Sequence, residues 1–168
     1  MTTPSQTQVT LSQVMNATEA NLLGTIHGGN IMKAVDDAAG SVANRFAKGP
    51  AVTAAMDEMT FLVPVRVGDI LHVDARVNWA GHSSVEVGVR AEVDRWDEVS
   101  ERTHVATAYL VFVAVDEDGS PRPVPELELE SEEDQRRFRE AQIRRRHRLA
   151  RREAIRASRD ESGEGGEP

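Results

Sequence analysis

Between Gly28 and Val115 the hydrophobic pattern of the chain changes period once, from helical to extended. From Gly28 to about Lys48, Ile31, Val35, Ala38, Val42 and Phe46 fall on one stripe at roughly 100° per residue, broadened on one side by Met32, Ala39 and Ala43. Gly49-Pro50 then stops the helix. From Ala51 to Val115 everything reads as strand. Val52 to Leu62 comes first, and Val63 to Asp69 makes a sharp turn. Leu71, Val73, Ala75 and Val77 alternate with His72, Asp74, Arg76 and Asn78. After a hairpin signal at Ala80-Gly81-His82-Ser83, Val85, Val87, Val89, Ala91 and Val93 alternate with Glu86, Gly88, Arg90, Glu92 and Asp94. Val105 to Val115 is apolar on both faces, as an interior strand is, and Asp116 to Ser120 ends it with turn chemistry. Gln8 to Met15 reads as an edge strand ahead of the helix.

One long helix followed by an antiparallel meander predicts an α+β fold with the helix across the concave face of a twisted sheet. A single helix cannot cover both faces, so the other face or a sheet edge is expected to find cover by self-association. The same helical wheel separates two neighbouring aspartates. Asp36 falls at the edge of the apolar arc beside Met32, Gly40 and Ala43, whereas Asp37 falls on the polar arc with Lys33 as its i−4 partner. Asp36 is therefore the half-buried carboxylate and a candidate general base or nucleophile. The alternative is that it only bridges to a neighbouring strand. Immediately before this helix, Gly24-Thr25-Ile26-His27-Gly28-Gly29 sets a glycine-rich loop against the unpaired amides of the first turn. Such a loop suits a carbonyl oxygen that gains negative charge during a reaction.

Composition removes several chemistries. There is no cysteine, hence no disulfide, thiolate–zinc site or cysteine nucleophile, and the net charge of −8 argues against a nucleic-acid-binding core. The first residues carry no basic, apolar leader and no run approaches a membrane span, so the expected location is cytoplasmic with no membrane partner. Nucleophile-elbow, phosphate-loop, dinucleotide and paired-histidine zinc motifs are absent. Of the five histidines, His72 and His104 lie in strands, His82 sits in a turn, His147 lies in the tail, and only His27 adjoins the glycines. Ser41 has no histidine in its sequence context, which argues against a serine hydrolase. From Glu126 onward the composition shifts: an acidic segment precedes Gln135 to Arg159, which holds eleven of the eighteen arginines. Phe138, Ile143, Leu149 and Ile155 are its only scattered large apolar positions, so this helix is expected to be solvated or marginally formed. Glu161 to Pro168 is expected to be disordered. The division expected is a domain at 1–125 and a charged tail at 126–168, partly helical or disordered.

With helix, loop and meander in place, residues 8–125 resemble the hotdog-fold acyl-CoA thioesterases, specifically the cytosolic acyl-CoA hydrolase branch. The resemblance rests on Gly24 to Gly29 with Met32-Lys33 and Asp36, on Met59 to Val65 with Gly68-Asp69, on Gly81-His82-Ser83-Ser84-Val85, and on Phe112 to Asp116 with Gly119 and Pro121-Arg122-Pro123. It implies a hotdog fold in which two subunits pair edge to edge with sites at their interface, and a homo-oligomer that is a dimer or a tetramer or hexamer of dimers. It also implies hydrolysis of acyl-CoA to a carboxylic acid and CoA in fatty-acid metabolism, with no metal or organic cofactor. Asp36 becomes the base or nucleophile, and the amides around Gly28 and Gly29 polarise the thioester carbonyl. In the resemblance the position after Gly24 is often Asn or Asp and is a second active-site residue. Here it is Thr25, whose hydroxyl hydrogen-bonds but is no base. Substrate contacts are expected from His27, Gly28, Thr60, Gly81, His82, Ser83, Ser84 and Arg122, with Arg66, Lys33 and Arg90 as further cations for the CoA phosphates. A hotdog regulator that binds acyl-CoA without hydrolysing it is the other reading, and Asp36→Ala separates the two. A hotdog dehydratase needs a histidine paired with a carboxylate, which this helix does not supply.

Overall fold

The structure, a computed structural model, describes residues 1–161. In chain order it contains a short helix α1 (Pro4–Thr7), β1 (Val9–Val14), a single 3-10 turn (Ala17–Glu19), α2 (Gly28–Ala47), β2 (Ala51–Phe61), β3 (Ile70–Ala80), β4 (Ser84–Asp94), β5 (Thr103–Ala114) and α3 (Glu132–Glu161). The strands form one antiparallel sheet in the order β1-β3-β4-β5-β2. This is the predicted helix-and-meander arrangement, with β1 at one edge and β2 at the other. The disorder expected at the C-terminus falls, past Glu161, outside the described residues.

The predicted stripe is what α2 buries. Ile31, Val35, Ala38, Ala39, Val42, Ala43 and Phe46 all lie in the core, against Leu71, Val73, Val87, Leu110 and Phe112 from the sheet. Met32 departs from the expected stripe and is exposed. Ala34, on its other margin, is buried instead. His27 caps the start of α2, its side chain accepting from the Gly29 N–H. At the far end Lys48 takes the left-handed conformation and Gly49 N donates to Asn44 O at 3.1 Å. Asn44 Oδ1 then accepts from Ala51 N at 2.8 Å, which joins the helix end to the first residue of β2.

The outer face of the sheet is not left to a second subunit alone, and the arginine-rich helix is not simply solvated. The first half of α3 crosses that face and docks through charge. Asp134 and Ala141 are buried, and Arg76 pairs with Asp134, Arg144 with Glu86, and Arg148 with Asp57. The Arg144 guanidinium also lies 3.6 Å from the Tyr109 ring centroid. Ser131 starts the helix by exchanging bonds with Asp134: Ser131 N donates to Asp134 Oδ2 at 3.1 Å and Asp134 N donates to Ser131 Oγ at 3.1 Å. The scattered apolar positions form no docking stripe, as expected. Phe138 is half-buried, while Ile143, Leu149 and Ile155 are exposed. The docking stripe is Asp134, Ala141, Arg144 and Arg148, at helical spacing but with charges where an apolar stripe is normally sought.

Glu86 is 1 % exposed and takes two bonds from Arg144, at 3.1 and 2.6 Å, on one carboxylate oxygen. Removing the cation strands a buried carboxylate. Arg144→Ala should therefore lower unfolding stability in urea by about 2–4 kcal/mol, whereas Arg144→Met combined with Glu86→Leu should recover most of that loss.

Candidate active site

The glycine loop is built by short backbone links. Asn21 N donates to Thr25 O at 2.7 Å, Ile26 N to Val65 O at 2.8 Å, and His27 N to Glu19 O at 2.8 Å. Gly24 sits at φ +77, which an L side chain rarely adopts, and this lets the loop reverse. Asn21 holds the turn from inside: its Nδ2 donates to Thr25 Oγ1 at 3.0 Å, and its Oδ1 accepts from Leu23 N at 2.9 Å. Asn21 also lines an open groove with Ala20, Leu22, Leu23 and His27.

His27 Nδ1 accepts from Gly29 N at 2.9 Å, so a neutral imidazole here carries its proton on Nε2. A Cβ on Gly29 would come within 2.9 Å of that nitrogen, which explains why a glycine follows. The Gly29 amide is thus already engaged. The Gly28 amide, at the first helical position, has no intrahelical acceptor. Gly28 also faces the Phe61 ring at the end of β2.

The two aspartates separate as the helical wheel predicts. Asp36 is half-buried, and Asp37 is exposed and bound to Lys33 Nζ at 2.6 Å. The Asp37 contact raises the Lys33 pKa above its ordinary value, first through the hydrogen bond and then through charge. Asp36 Oδ1 accepts from Thr53 Oγ1 on β2 at 2.8 Å. The bridge to a neighbouring strand, the alternative to a catalytic role, is therefore present, and its partner Thr53 lies outside every motif of the sequence analysis. Thr60, which that reading chose on the same strand, pairs with Thr107 and is exposed on the sheet face away from α2.

The remaining candidates gather at the other end of α2. In the β3–β4 hairpin, Gly81 N donates to Ser84 O, Ser83 O accepts from Ala114 N, and His82 O accepts from Val124 N, each at 2.8 Å. Arg122 Nε donates to Val115 O at 3.0 Å, and its guanidinium occupies the space that a side chain on Gly49 would fill. Arg122 Nη2 is buried with no hydrogen-bond partner among the described residues. α2 has 20 residues and so spans about 30 Å. Within one protomer, then, Gly28 and the Gly81–Ser84 hairpin stand at opposite ends of the helix, with Asp36 between.

Comparison with known proteins gives this arrangement a family. Residues 23–95 match the model of the thioesterase superfamily. The chain is 32 % identical over 139 residues to a mouse cytosolic acyl coenzyme A thioester hydrolase, covering 82 % of this chain but 36 % of that protein, so it spans about a third of that relative's length. It is 32 % identical to the acyl-CoA thioester hydrolase YciA of Salmonella typhimurium, over 70 % of this chain and 90 % of that one. The acyl-CoA hydrolase of Staphylococcus aureus, solved with butyryl-CoA, CoA and CoA disulfide, superposes with a TM-score of 0.85 at 30 % identity, covering 96 % and 98 % of the two chains. That enzyme has also been solved as alanine variants at an asparagine, at an aspartate fifteen residues later, and at a threonine seventeen residues after that. Asn21, Asp36 and Thr53 repeat both intervals. That spacing is the signal that would have found Asn21 and Thr53. With the fold matched nearly end to end and these three residues in step, the chain belongs to the thioesterase superfamily, as a member with the hotdog fold of the acyl-CoA hydrolases.

Proposed function

We propose that this protein hydrolyses acyl-CoA thioesters to carboxylic acids and CoA, with Asp36 as general base. The observation that carries the reading is the Asp36–Thr53 pair at the margin of α2, in step with the Asn–Asp–Thr spacing of the S. aureus hydrolase. The Thr53 hydroxyl fixes the carboxylate's orientation and leaves its second oxygen for a water molecule. Asp36 takes a proton from that water as its oxygen bonds to the thioester carbon. The Gly28 N–H, favoured by the positive end of the α2 dipole, stabilises the negative charge on the carbonyl oxygen. The C–S bond then breaks, and the thiolate takes up a proton as free CoA. Asn21, rather than Thr25, supplies the polar side chain at the mouth of the groove, with Thr25 hydrogen-bonded behind it.

Two protomers are needed to complete this site. Val52, Phe61 and Leu62 leave apolar surface exposed along the unpaired β2 edge, which a second β2 edge would cover. Antiparallel pairing there sets the start of one α2 beside the end of the other. That arrangement brings Gly81 to Ser84 and Arg122 of one subunit toward Asp36 of its partner, where the Arg122 guanidinium adds positive charge suited to CoA phosphates. The similarity to a hexameric acyl-CoA thioesterase at a TM-score of 0.84 supports assembly beyond one chain. A cytosolic setting fits the mouse relative.

Three outcomes follow. Asp36→Ala should lower kcat for CoA release by about two orders of magnitude or more, with Asp37→Ala near wild type. Full activity in Asp36→Ala with retained acyl-CoA binding would instead favour a ligand sensor. Asn21→Ala should cost roughly tenfold more in kcat/KM than Thr25→Ala. Val52→Lys, by charging the β2 edge, should convert the sedimenting species to a monomer and abolish turnover together.

A further inference from the structure

We propose that Arg148 and Asp57 are positioning residues: from the outer face of the sheet, α3 holds the β-bulge that turns Thr53 toward Asp36. The inference rests on the hydrolase reading above, but its structural half can be measured without it.

The register of β2 against β5 carries the argument. Phe61 pairs with Ala106, Met59 with Ala108, Met56 with Leu110 and Thr53 with Phe112, and all four β5 partners lie in the core beneath α2. Along an unbroken strand only steps of two keep a residue on the same face. Phe61 to Met59 is such a step, but Met59 to Met56 and Met56 to Thr53 are steps of three. The register shifts fall between Met56 and Glu58 and between Thr53 and Ala55, so Asp57 and Ala54 are the extra residues. Each bulge inverts the alternation of everything before it. If the bulge at Asp57 were straightened and β2 slipped by one, Thr53 would turn to the outer face and lose Asp36. As an edge strand, β2 has only β5 to hold its register within the protomer.

Asp57 is the anchored bulge. Its side chain is 9 % exposed and that of Arg148 14 %, and the two are in direct contact. A carboxylate so little exposed to water needs its cation. Ala54, at the other bulge, offers only a methyl group and no charge for a partner to bind. The α3 helix reaches Asp57 after docking on Asp134 and Arg144, so the helix as a whole sets where Arg148 falls.

The test uses the full chain with Arg148→Met, Arg148→Lys and Asp57→Asn, and Arg136→Ala as control, because among the described residues the ion pairs of Arg136 are with Glu133 and Glu140 of α3 itself. Steady-state CoA release should show kcat about tenfold lower in Arg148→Met with KM within about twofold, and most of kcat restored in Arg148→Lys. Thr53→Val/Arg148→Met should be no slower than Thr53→Val alone, because both act through one hydroxyl. Amide hydrogen exchange should rise in residues 51–57 of Arg148→Met, with α2, β3 and β4 unchanged and Arg136→Ala like wild type. Wild-type kcat in Arg148→Met, additive losses in the double variant, or Lys no better than Met would each overturn the proposal. If Arg148→Met does not fold, Asp57→Asn, which keeps the side-chain shape, gives the same comparison. If the wild-type chain releases no CoA from any acyl-CoA, the hydrolase reading fails by itself. The exchange data then decide the bulge, and unchanged protection in residues 51–57 overturns it.

Discussion

Everything in this structure is arranged around the burial of one alanine-rich helical stripe against the concave face of a five-stranded sheet. Ala34, Ala38, Ala39 and Ala43 let α2 approach the strands closely, while Phe46 and Phe112 fill the wider parts of the gap. A helix seated this way has two margins along its length where side chains are half in water. Asp36 stands on one of them, next to β2. A carboxylate there is reached by water and is also directed by a single hydroxyl, that of Thr53. The position of the Asp36–Thr53 pair thus follows from the packing of an apolar surface.

The opposite face is covered on a different principle. Where α2 removes hydrocarbon from water, α3 satisfies carboxylates, and its contacts with β4 and β2 are arginine pairs, with Tyr109 under one guanidinium. Apolar burial tolerates small shifts because it is non-directional. Charge-assisted hydrogen bonds fix distance and angle. The inner layer therefore provides cohesion and the outer layer provides register.

The parts that were legible in the sequence are those governed by apolar periodicity. The bounds of α2, the alternation of β3 and β4, and the difference between Asp36 and Asp37 all follow from which positions recur as hydrophobic. What escaped was governed by something else. The docking of α3 lay hidden because Arg144 and Arg148 carry the inward face, and charge in a helix reads as solvent exposure. Their partners Glu86 and Asp57 looked like ordinary polar positions of strands. Thr60 came from the motif Met59 to Val65, whereas Thr53 faces α2 through two bulges in β2 that simple alternation cannot locate. Asn21 gave no such signal for a further reason: it is anchored by hydrogen bonds within a turn, which leave no periodic trace.

The paired irregularities of β2 also constrain how the chain can vary in length. Thr53 and Phe61 both face α2, and the stretch between them keeps that relation only because its two extra residues cancel in parity. Loss or gain of a single residue there inverts one end of the strand relative to the other, however mild the change in composition. Loss of both bulges together restores a plain alternating strand with both ends facing inward. Length in this segment is thus admitted in twos, a counting rule imposed by the pleat of the sheet.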